Sequence, residues 1–407
     1  MMSAEHTSVK RGRFELGKLA AIAILIAVSV HAVPAHADRW VTECVECAKT
    51  FYHGTGESLK LDAAGKLHLA YGGDHLYYAV RGENGWQQET VDSSPNVGGT
   101  AALDVDVLGV PHIVYYDYAS LYLKYARRDP GGWHVETIVP NVASPSTASI
   151  RVDANGHPHV SYVEVTGVQV RDVKYMYHDG TGWQTETVAA GLNLYNAYTS
   201  LALDASGTPH IAYYNSVDSS VQYARRDDTG WRVETVDNAG NVGRYVSLAL
   251  DGAGNPHVAY FDETNRSLKY GRRSTYGWEA ETIDPEPEQS YGIDLSLAVD
   301  GDGYARISYL NLISTLTYEV RHAYQDVTGW HVETAYSSGY SGWSTALVVD
   351  GSQRSHITHI RVPGLVSDDT RIVEHLFQSA SGWQVEEVDR GRNPGQYASL
   401  AIDSSGR

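Results

Sequence analysis

Histidines recur at one position of the sequence, often directly after a proline, and histidine is the commonest side-chain ligand for metal ions. They are His68, His112, His159, His210, His257 and His356. The same short pattern surrounds each of them, so they belong to successive copies of a repeat and lie too far apart to share one ion. A residue that recurs in this way is more simply a structural hydrogen-bonding group, and we predict no metal site.

Two acidic segments, Asp153–Gly156 and Asp300–Gly303, resemble the start of a calcium-binding loop. Both lack the later carboxylate that completes such a loop. Asp can cap its own turn and Gly supplies a positive φ, so both segments predict tight hairpin turns. The sequence predicts neither a bound metal nor another cofactor.

The repeat itself is marked by a Gly-Trp pair followed by Glu-Thr-Val or a close variant. The tryptophans are Trp86, Trp133, Trp183, Trp231, Trp278, Trp330 and Trp383. Their spacings of 47, 50, 48, 47, 52 and 53 residues indicate a repeat array.

Each copy reads as four β-strands. Between Ser247 and Asp284 the runs SLALD, HVAYFD, LKYGRR and WEAETID alternate between apolar and polar residues, which favours strands over helices. Four antiparallel strands repeated about every 50 residues predict an all-β fold, the β-propeller. The small residues of SLALD suit the crowded innermost strand, and the charged WxxETV pattern suits the outer edge.

The turns DPGGW, DGTGW and DDTGW join the third and fourth strands of each copy. With them, the chain from about residue 40 onward resembles the Asp-box, or sialidase-like (BNR-type), class of β-propeller repeats. The resemblance implies the architecture. It does not imply hydrolysis of sialic acid, because no residue here matches that family's arginine cluster, tyrosine nucleophile or acid.

Seven complete blades run from Leu61 to Asp389, and two incomplete pieces remain. Residues 40–45 match a fourth strand, and residues 397–403 match a first strand. We predict a seven-bladed ring with both pieces as edge strands or tails. The alternative is an eight-bladed ring whose last blade is incomplete.

Residues 1–37 have the pattern of an export signal, with a basic start, an apolar core and a small-residue cleavage site at 35–37. We therefore predict a propeller over residues 38–407, in a protein that is secreted, periplasmic or on the cell surface. That mature chain has 27 Lys and Arg against 47 Asp and Glu, a net charge of −20. Such a polyanion disfavours nucleic acid and anionic membrane surfaces, and we expect a monomer without membrane insertion.

Cys44 and Cys47 are the two cysteines of the chain. In an exported protein a C-x-x-C pair usually oxidises, so we predict a local disulfide near the closure of the ring. Haem attachment would need a histidine where Ala48 stands, and a thioredoxin-like site would need a βαβ setting.

Repeated charges predict pairing within each blade. The arginine pairs 127–128, 225–226 and 272–273 precede strands that carry Glu136, Glu234 and Glu281. Opposite charges on neighbouring strands attract, so we expect each pair to face the glutamate of its own blade. The tryptophans are expected to pack one blade against the next.

Candidate binding residues lie where the repeat is broken. The loops between second and third strands and between blades share one rim, the top face, and binding residues concentrate on such loops. Tyrosines near a carboxylate could line a pocket there, aromatic rings could stack on sugars, and a histidine replaces a repeated tyrosine beside an arginine. The candidates are Tyr198, Tyr245, Asp262, Asp294, Tyr340, Trp343, His359, Arg361 and Tyr397.

Two functions fit this pattern. The first is an exported binding or interaction propeller for a carbohydrate or a protein, with a neutral or cationic ligand unless Arg361 concentrates anions locally. The second is a carbohydrate-active hydrolase or lyase, in which acids such as Asp262 and Asp294 would act as general acid and base. Fold analogy alone supports the second, and whether the protein is an enzyme stays open.

Closure of the ring generates a first prediction. Deleting residues 38–50 should lower the melting temperature more than an equal trim of a top-face loop, because closure removes an exposed sheet edge. Thermal unfolding followed by circular dichroism measures both, and equal melting temperatures would contradict the prediction.

Overall fold

The structure is a computed structural model. It describes residues 49, 51, 55–140, 142, 148–193, 198–285, 295–314, 317–337, 341–363 and 370–391. Trp40, the Cys44 and Cys47 pair, and the strand expected at 397–403 lie outside the described residues. Within the described part of the chain, we find no helical segment with the length and hydrophobicity needed to cross a membrane.

Among the described residues, twenty-eight strands form seven antiparallel sheets of four strands each, in chain order within every sheet. Blade 1 is β1 (Leu59–Leu61), β2 (Leu67–Gly72), β3 (Leu76–Gly82) and β4 (Gly85–Asp92). Blade 2 is β5 (Ala102–Val105), β6 (Pro111–Asp117), β7 (Tyr122–Asp129) and β8 (Gly132–Val139). Blade 3 is β9 (Ser149–Val152), β10 (Pro158–Gly167), β11 (Val170–His178) and β12 (Trp183–Leu192). Blade 4 is β13 (Thr199–Leu203), β14 (Pro209–Asn215), β15 (Ser220–Asp227) and β16 (Gly230–Asp237).

The remaining three blades have the same order. Blade 5 is β17 (Val242–Leu250), β18 (Pro256–Asp262), β19 (Ser267–Ser274) and β20 (Gly277–Asp284). Blade 6 is β21 (Leu295–Val299), β22 (Ala305–Ser314), β23 (Thr317–Asp326) and β24 (Gly329–Ser337). Blade 7 is β25 (Ser341–Val349), β26 (Ser355–Arg361), β27 (Arg371–Ser379) and β28 (Gly382–Gly391).

The first strands surround the central axis, as the sequence predicts. Serine hydroxyls of one first strand accept hydrogen bonds from the backbone of the next: Ser149 from Leu201 at 3.0 Å, and Ser200 from Leu248 at 3.0 Å. At the closure, β25 of blade 7 contacts β1 of blade 1 directly. The predicted seven-bladed β-propeller is therefore confirmed, and the eight-bladed alternative is wrong because blades 7 and 1 already pack together.

The Asp-x-x-Gly segments form tight hairpin turns, which confirms their structural interpretation. Gly156 N donates to Asp153 O, and Gly303 N donates to Asp300 O, both at 3.0 Å. The glycines have φ of 81° and 85°, a left-handed conformation that side chains with a Cβ rarely adopt.

The repeated histidines are structural hydrogen-bonding groups, as predicted. In blades 1 to 5 each Nδ1 faces a tyrosine hydroxyl of the third strand, and each Nε2 lies 3.3 to 3.9 Å from the turn aspartate. The Nδ1 to hydroxyl distance is 2.5 Å in the pairs His68–Tyr78, His112–Tyr125, His159–Tyr175 and His210–Tyr223, and the fifth pair is His257–Tyr270.

Neighbouring blades are joined through the fourth-strand glutamate. At the junction of blades 3 and 4, Glu186 accepts a hydrogen bond from Trp231 Nε1 at 3.0 Å and another from Arg226 Nη2 at 2.9 Å. The Trp231 ring packs edge-on against Tyr175, with centroids 5.2 Å apart. Six of the seven Gly-Trp tryptophans donate to the glutamate of the neighbouring blade in this way.

The expected pairing of arginines within a blade is wrong. The Gly-Trp turn sets a register in which Tyr125 lies opposite Glu136 and Tyr223 lies opposite Glu234. The second arginine of each pair instead reaches the glutamate of the preceding blade. The ion pairs are Arg128–Glu89, Arg226–Glu186 and Arg273–Glu234.

This geometry gives a second prediction. Glu186→Ala should lower the free energy of unfolding by about 1–3 kcal/mol, because it removes the acceptor for Trp231 and Arg226. Urea unfolding measures the change. Glu83→Ala, in an exposed turn of blade 1, is the control and should be nearly neutral.

Candidate functional site

Residues 55–57, which precede β1, lie at the tops of the first strands and bind groups from several blades. Thr55 Oγ1 donates to Ala101 O at 2.8 Å, and Ser296 Oγ donates to Gly56 O at 2.7 Å. Gly56 leaves no room for a side chain, since a Cβ there would lie 2.4 Å from Leu295 O. We call this segment the plug.

Glu57 of the plug binds groups from three blades. Its carboxylate accepts from Arg151 Nη1 at 2.7 Å, from Lys60 Nζ at 3.2 Å and from Ser200 Oγ at 2.9 Å. Burial would raise the pKa of Glu57, but Arg151 and Lys60 outweigh it and lower the value to about 2. Glu57 is therefore ionised and compensated in the interior of the ring.

Tyr198 and Tyr245, both predicted from the sequence, meet beside the plug with ring centroids 4.6 Å apart. Tyr245 has a φ of 57°, an unusual conformation for a bulky residue. The two rings line a cavity of about 30 Å³ together with Glu57 and Ser200. Ligand pockets are typically about 300–1,000 Å³, so this cavity has room for about one water molecule.

The structure describes only some of the other top-face candidates. Asp262 is 1% exposed and accepts hydrogen bonds from Asn265 N and Nδ2 at 3.0 and 2.8 Å, so it holds a hairpin turn. Trp343 belongs to β25, and its side chain is not among the described ones. Asp294, Tyr340 and Tyr397 lie outside the described residues.

His359 and Arg361 belong to a junction where a repeated arrangement is exchanged. At four junctions, an aspartate that ends the fourth strand accepts from a tyrosine hydroxyl of the next blade at 2.6 or 2.7 Å, and a lysine or arginine pairs with it. The aspartate and tyrosine pairs are Asp92–Tyr115, Asp237–Tyr260, Asp284–Tyr309 and Asp389–Tyr71. Between blades 6 and 7 the equivalent acid, tyrosine and cation are replaced by Tyr336, His359 and Glu374.

The exchanged residues contact one another. Arg361 Nε donates to Glu374 Oε1 at 2.7 Å, and His359 Nε2 lies 3.2 Å from Glu374 Oε2. Burial would raise the pKa of Glu374, but His359 and Arg361 lower it on balance. The sequence analysis missed Glu374, although the run RIVEHLF has Glu where LKYARR and LKYGRR have Lys. His359 and Glu374 are 2% and 5% exposed, so the exchange rebuilds a buried junction.

A larger cavity lies on the opposite, lower rim, where the sequence predicted no candidate. It is a groove of about 880 Å³ between blades 4 and 5. Its walls are the turns 204–208 and 251–255 and the lower ends of β15 and β16. Leu203, Leu250, Pro256 and Tyr223 supply its apolar surface. We call it the 4/5 groove.

Charges in the 4/5 groove are paired. Arg273 Nε donates to Glu234 Oε2 at 2.8 Å, Arg232 pairs with Asp227, and Arg225 Nη2 lies 3.7 Å from Asp204 Oδ2. Burial would raise the pKa of Asp204, but hydrogen bonds from Ser206 and Thr208 lower it to about 2. Hydrogen bonds from Thr229 and Arg232 lower the pKa of Asp227 to about 2. The groove therefore offers ionised acceptors and guanidinium donors side by side.

An off-pattern aromatic residue follows Arg273, a residue that lines this groove, in the sequence. Tyr276 is 97% exposed in the turn between β19 and β20, three residues after Arg273. The other blades have Asn, Gly, Thr or Ser at this position of the Gly-Trp turn. A fully exposed ring contributes little to packing, and its departure from the repeat is a signal that the sequence analysis could have used.

Comparisons place the chain in a class by fold. No protein-family model and no curated protein matches it. Solved structures do match, at low identity. A triple-arginine mutant of AofleA from Arthrobotrys oligospora is 11% identical with a TM-score of 0.51, over 84% of this chain and 96% of that one. A polysaccharide lyase described as an ulvan lyase is 14% identical with a TM-score of 0.53, over 77% and 92%.

A third neighbour has a different activity. A prolyl endopeptidase is 14% identical with a TM-score of 0.51, over 86% of this chain, which spans about half of that protein. At these identities the likeness shows the fold alone. Lyase and peptidase chemistry on one fold means that function must be argued from the site.

The plug gives a third prediction. Glu57→Gln should lower the free energy of unfolding by about 3–5 kcal/mol, because Arg151 and Lys60 would stay buried without their counter-charge. Urea unfolding at neutral pH measures this. Glu89→Gln, which breaks the exposed pair with Arg128, is the control and should cost less than about 1 kcal/mol.

Wild type and Glu57→Gln together also test how the free energy of unfolding depends on pH. The pKa of Glu57 falls from 4.5 to about 2 on folding, so its contribution is complete above pH 4.5 and declines as the pH falls toward 2. The difference between wild type and Glu57→Gln should shrink over that interval. A constant difference would contradict the assignment.

Proposed function

We propose that this chain is an exported carbohydrate-binding β-propeller whose 4/5 groove takes an uncharged oligosaccharide. The observation that carries the proposal is the groove itself, about 880 Å³ in volume and within the usual size range of ligand sites. Its alternating guanidinium and carboxylate groups can donate to and accept from the hydroxyl groups of a sugar.

Charge favours a neutral ligand. The groove combines Arg225, Arg232 and Arg273 with Asp204, Asp227, Glu234 and Asp251, which is close to balance. Burial lowers the pKa of His210, which keeps this groove residue neutral. The mature chain as a whole is strongly acidic and disfavours polyanions.

Binding is favoured over glycoside hydrolysis. A hydrolase needs one carboxyl group whose pKa is raised so that it can donate a proton. The pKa values of Asp204, Asp227, Glu234 and Asp251 are all lowered. Each of these groups is better suited to accept hydrogen bonds from sugar hydroxyls than to act as the acid.

Tyr276 is the proposed stacking surface at the rim of the groove. Aromatic rings bury apolar sugar faces while their hydroxyl stays in water. A flat ring that is 97% exposed provides such a platform without rearrangement of the blade.

The fourth prediction tests this site. A glycan array of neutral and uronate-containing polysaccharides should give binding to neutral members. For the best binder, Arg225→Ala and Tyr276→Ala should each weaken affinity about 10-fold or more, which is about 1.4 kcal/mol, with an unchanged melting temperature. Isothermal titration calorimetry measures the affinities.

Two controls make the result specific. Arg127→Ala changes the equivalent arginine of blade 2 and should leave affinity unchanged. Tyr245→Ala tests the top face that the sequence pointed to. If Tyr245→Ala abolishes binding while the groove variants retain it, the site lies on the top face; binding to uronates alone would contradict the proposed ligand class.

A further inference from the structure

The hydrogen-bonded chains around the repeated histidines can be counted proton by proton. In blade 4, His210 Nε2 lies 3.4 Å from Asp204 Oδ2, and Nδ1 lies 2.5 Å from the Tyr223 hydroxyl. A neutral imidazole with its proton on Nε2 donates to the carboxylate and accepts from the tyrosine. One imidazole proton and one hydroxyl proton therefore complete this chain, and blades 1, 2, 3 and 5 have the same three residue types.

Blade 7 departs from this arrangement because His375 stands where the tyrosine is expected. His356 Nε2 lies 3.2 Å from Asp350 Oδ2, His356 Nδ1 lies 3.0 Å from His375 Nε2, and His375 Nδ1 lies 2.8 Å from Glu386 Oε1. The two ring planes are parallel to within 6° and their centroids lie 5.2 Å apart. Because the facing nitrogens are 3.0 Å apart, the rings meet edge to edge, nitrogen to nitrogen.

This chain has three links and needs three protons, but two neutral imidazoles supply two. The carboxyl groups at the two ends of the chain, those of Asp350 and Glu386, cannot supply the third proton. Although burial would raise the pKa of Glu386, hydrogen bonds from His375 and Arg81 lower it to about 2. Hydrogen bonds from Arg354 and His356 likewise lower the pKa of Asp350 to about 2 against the effect of burial. At neutral pH two nitrogen lone pairs would face each other.

We propose that the His356 and His375 pair, at the junction between blades 7 and 1, is a pH-sensitive switch. The pair takes up a single shared proton on acidification. The proton completes the chain from Asp350 to Glu386. Glu386 also accepts from Arg81 Nε at 2.6 Å and from Trp86 Nε1 at 2.9 Å, both in blade 1. The added charge on the histidine pair therefore acts on Glu386, the carboxylate that joins blade 7 to blade 1.

The charged groups around the two histidines determine the pH at which the proton binds. The charged groups that face the pair are Asp350 and Arg354 from the first hairpin, Glu386 from β28, and Arg81 from β3 of blade 1. Their charges balance, so the added proton gives the cluster a net positive charge. Burial lowers the pKa of both histidines, so uptake follows acidification below the usual range of imidazole.

Blade 6 provides an internal reference. His322 also replaces the tyrosine, but its Nδ1 faces Glu333 at 3.0 Å and its Nε2 faces the Ser355 hydroxyl at 2.9 Å. One imidazole proton and one hydroxyl proton complete that chain. The position of His356 is occupied in blade 6 by Arg306, which binds Asp300 at 3.0 Å. His322 therefore needs no added proton.

The test is a pH titration of the ¹⁵N-labelled full chain by long-range ¹H–¹⁵N NMR, which distinguishes neutral from protonated imidazole. In the wild type, His356 and His375 together should take up one proton while the protein stays folded, and His210 and His322 should stay neutral. The indole resonance of Trp86 should shift with the same midpoint, and that of Trp231 should not.

His375→Tyr restores the residue types of blades 1 to 5 and is the matched variant. In it, His356 should stay neutral over the same range and the Trp86 shift should be lost. The proposal is overturned if both rings of the wild type stay neutral until unfolding, or if His356 is protonated alike in the variant. Should the variant fail to fold, the wild-type titration decides.

Discussion

The ring depends on a carboxylate on the fourth strand of each blade that accepts hydrogen bonds from the next blade. Glu186 shows the arrangement: it belongs to the outer strand of blade 3 and accepts from Trp231 and Arg226 of blade 4. A four-stranded blade alone would be marginal, so these contacts and the tryptophan rings beside them hold each blade to its neighbour. The same contacts between blades 7 and 1 make the ring continuous.

Against this regular background, the exchanges in blades 6 and 7 bring different polar residues into contact in the interior. Tyr336, His359 and Glu374 replace an acid, a tyrosine and a cation at one junction, so the carboxylate stands at the position of the cation. Buried polar groups are costly when unpaired, so a change at one member of such a set requires changes at the others. Departures of this kind are therefore poor guides to a ligand site when they occur in the interior.

The fold could be predicted from the sequence because the repeat supplies the same evidence seven times. Strand order, hairpin turns and the structural role of the histidines all follow from local patterns such as Asp-x-x-Gly and Gly-Trp. The pairing of Arg226 with Glu186 could not be predicted, because it depends on the rotation between blades and not on strand register. The 4/5 groove could not be predicted from the sequence for a related reason. Its walls are repeat residues such as Asp204 and Asp251, and the space between them arises from the spacing of the blades.

The plug adds contacts between blades that the blade junctions do not provide. Residues 55–57 lie at the tops of the first strands and form hydrogen bonds with three different blades. One short segment therefore links blades 2, 4 and 6 to one another across the tops of their first strands. A change that displaces this segment would therefore disturb several blades at once, and not only the two blades that meet at one junction.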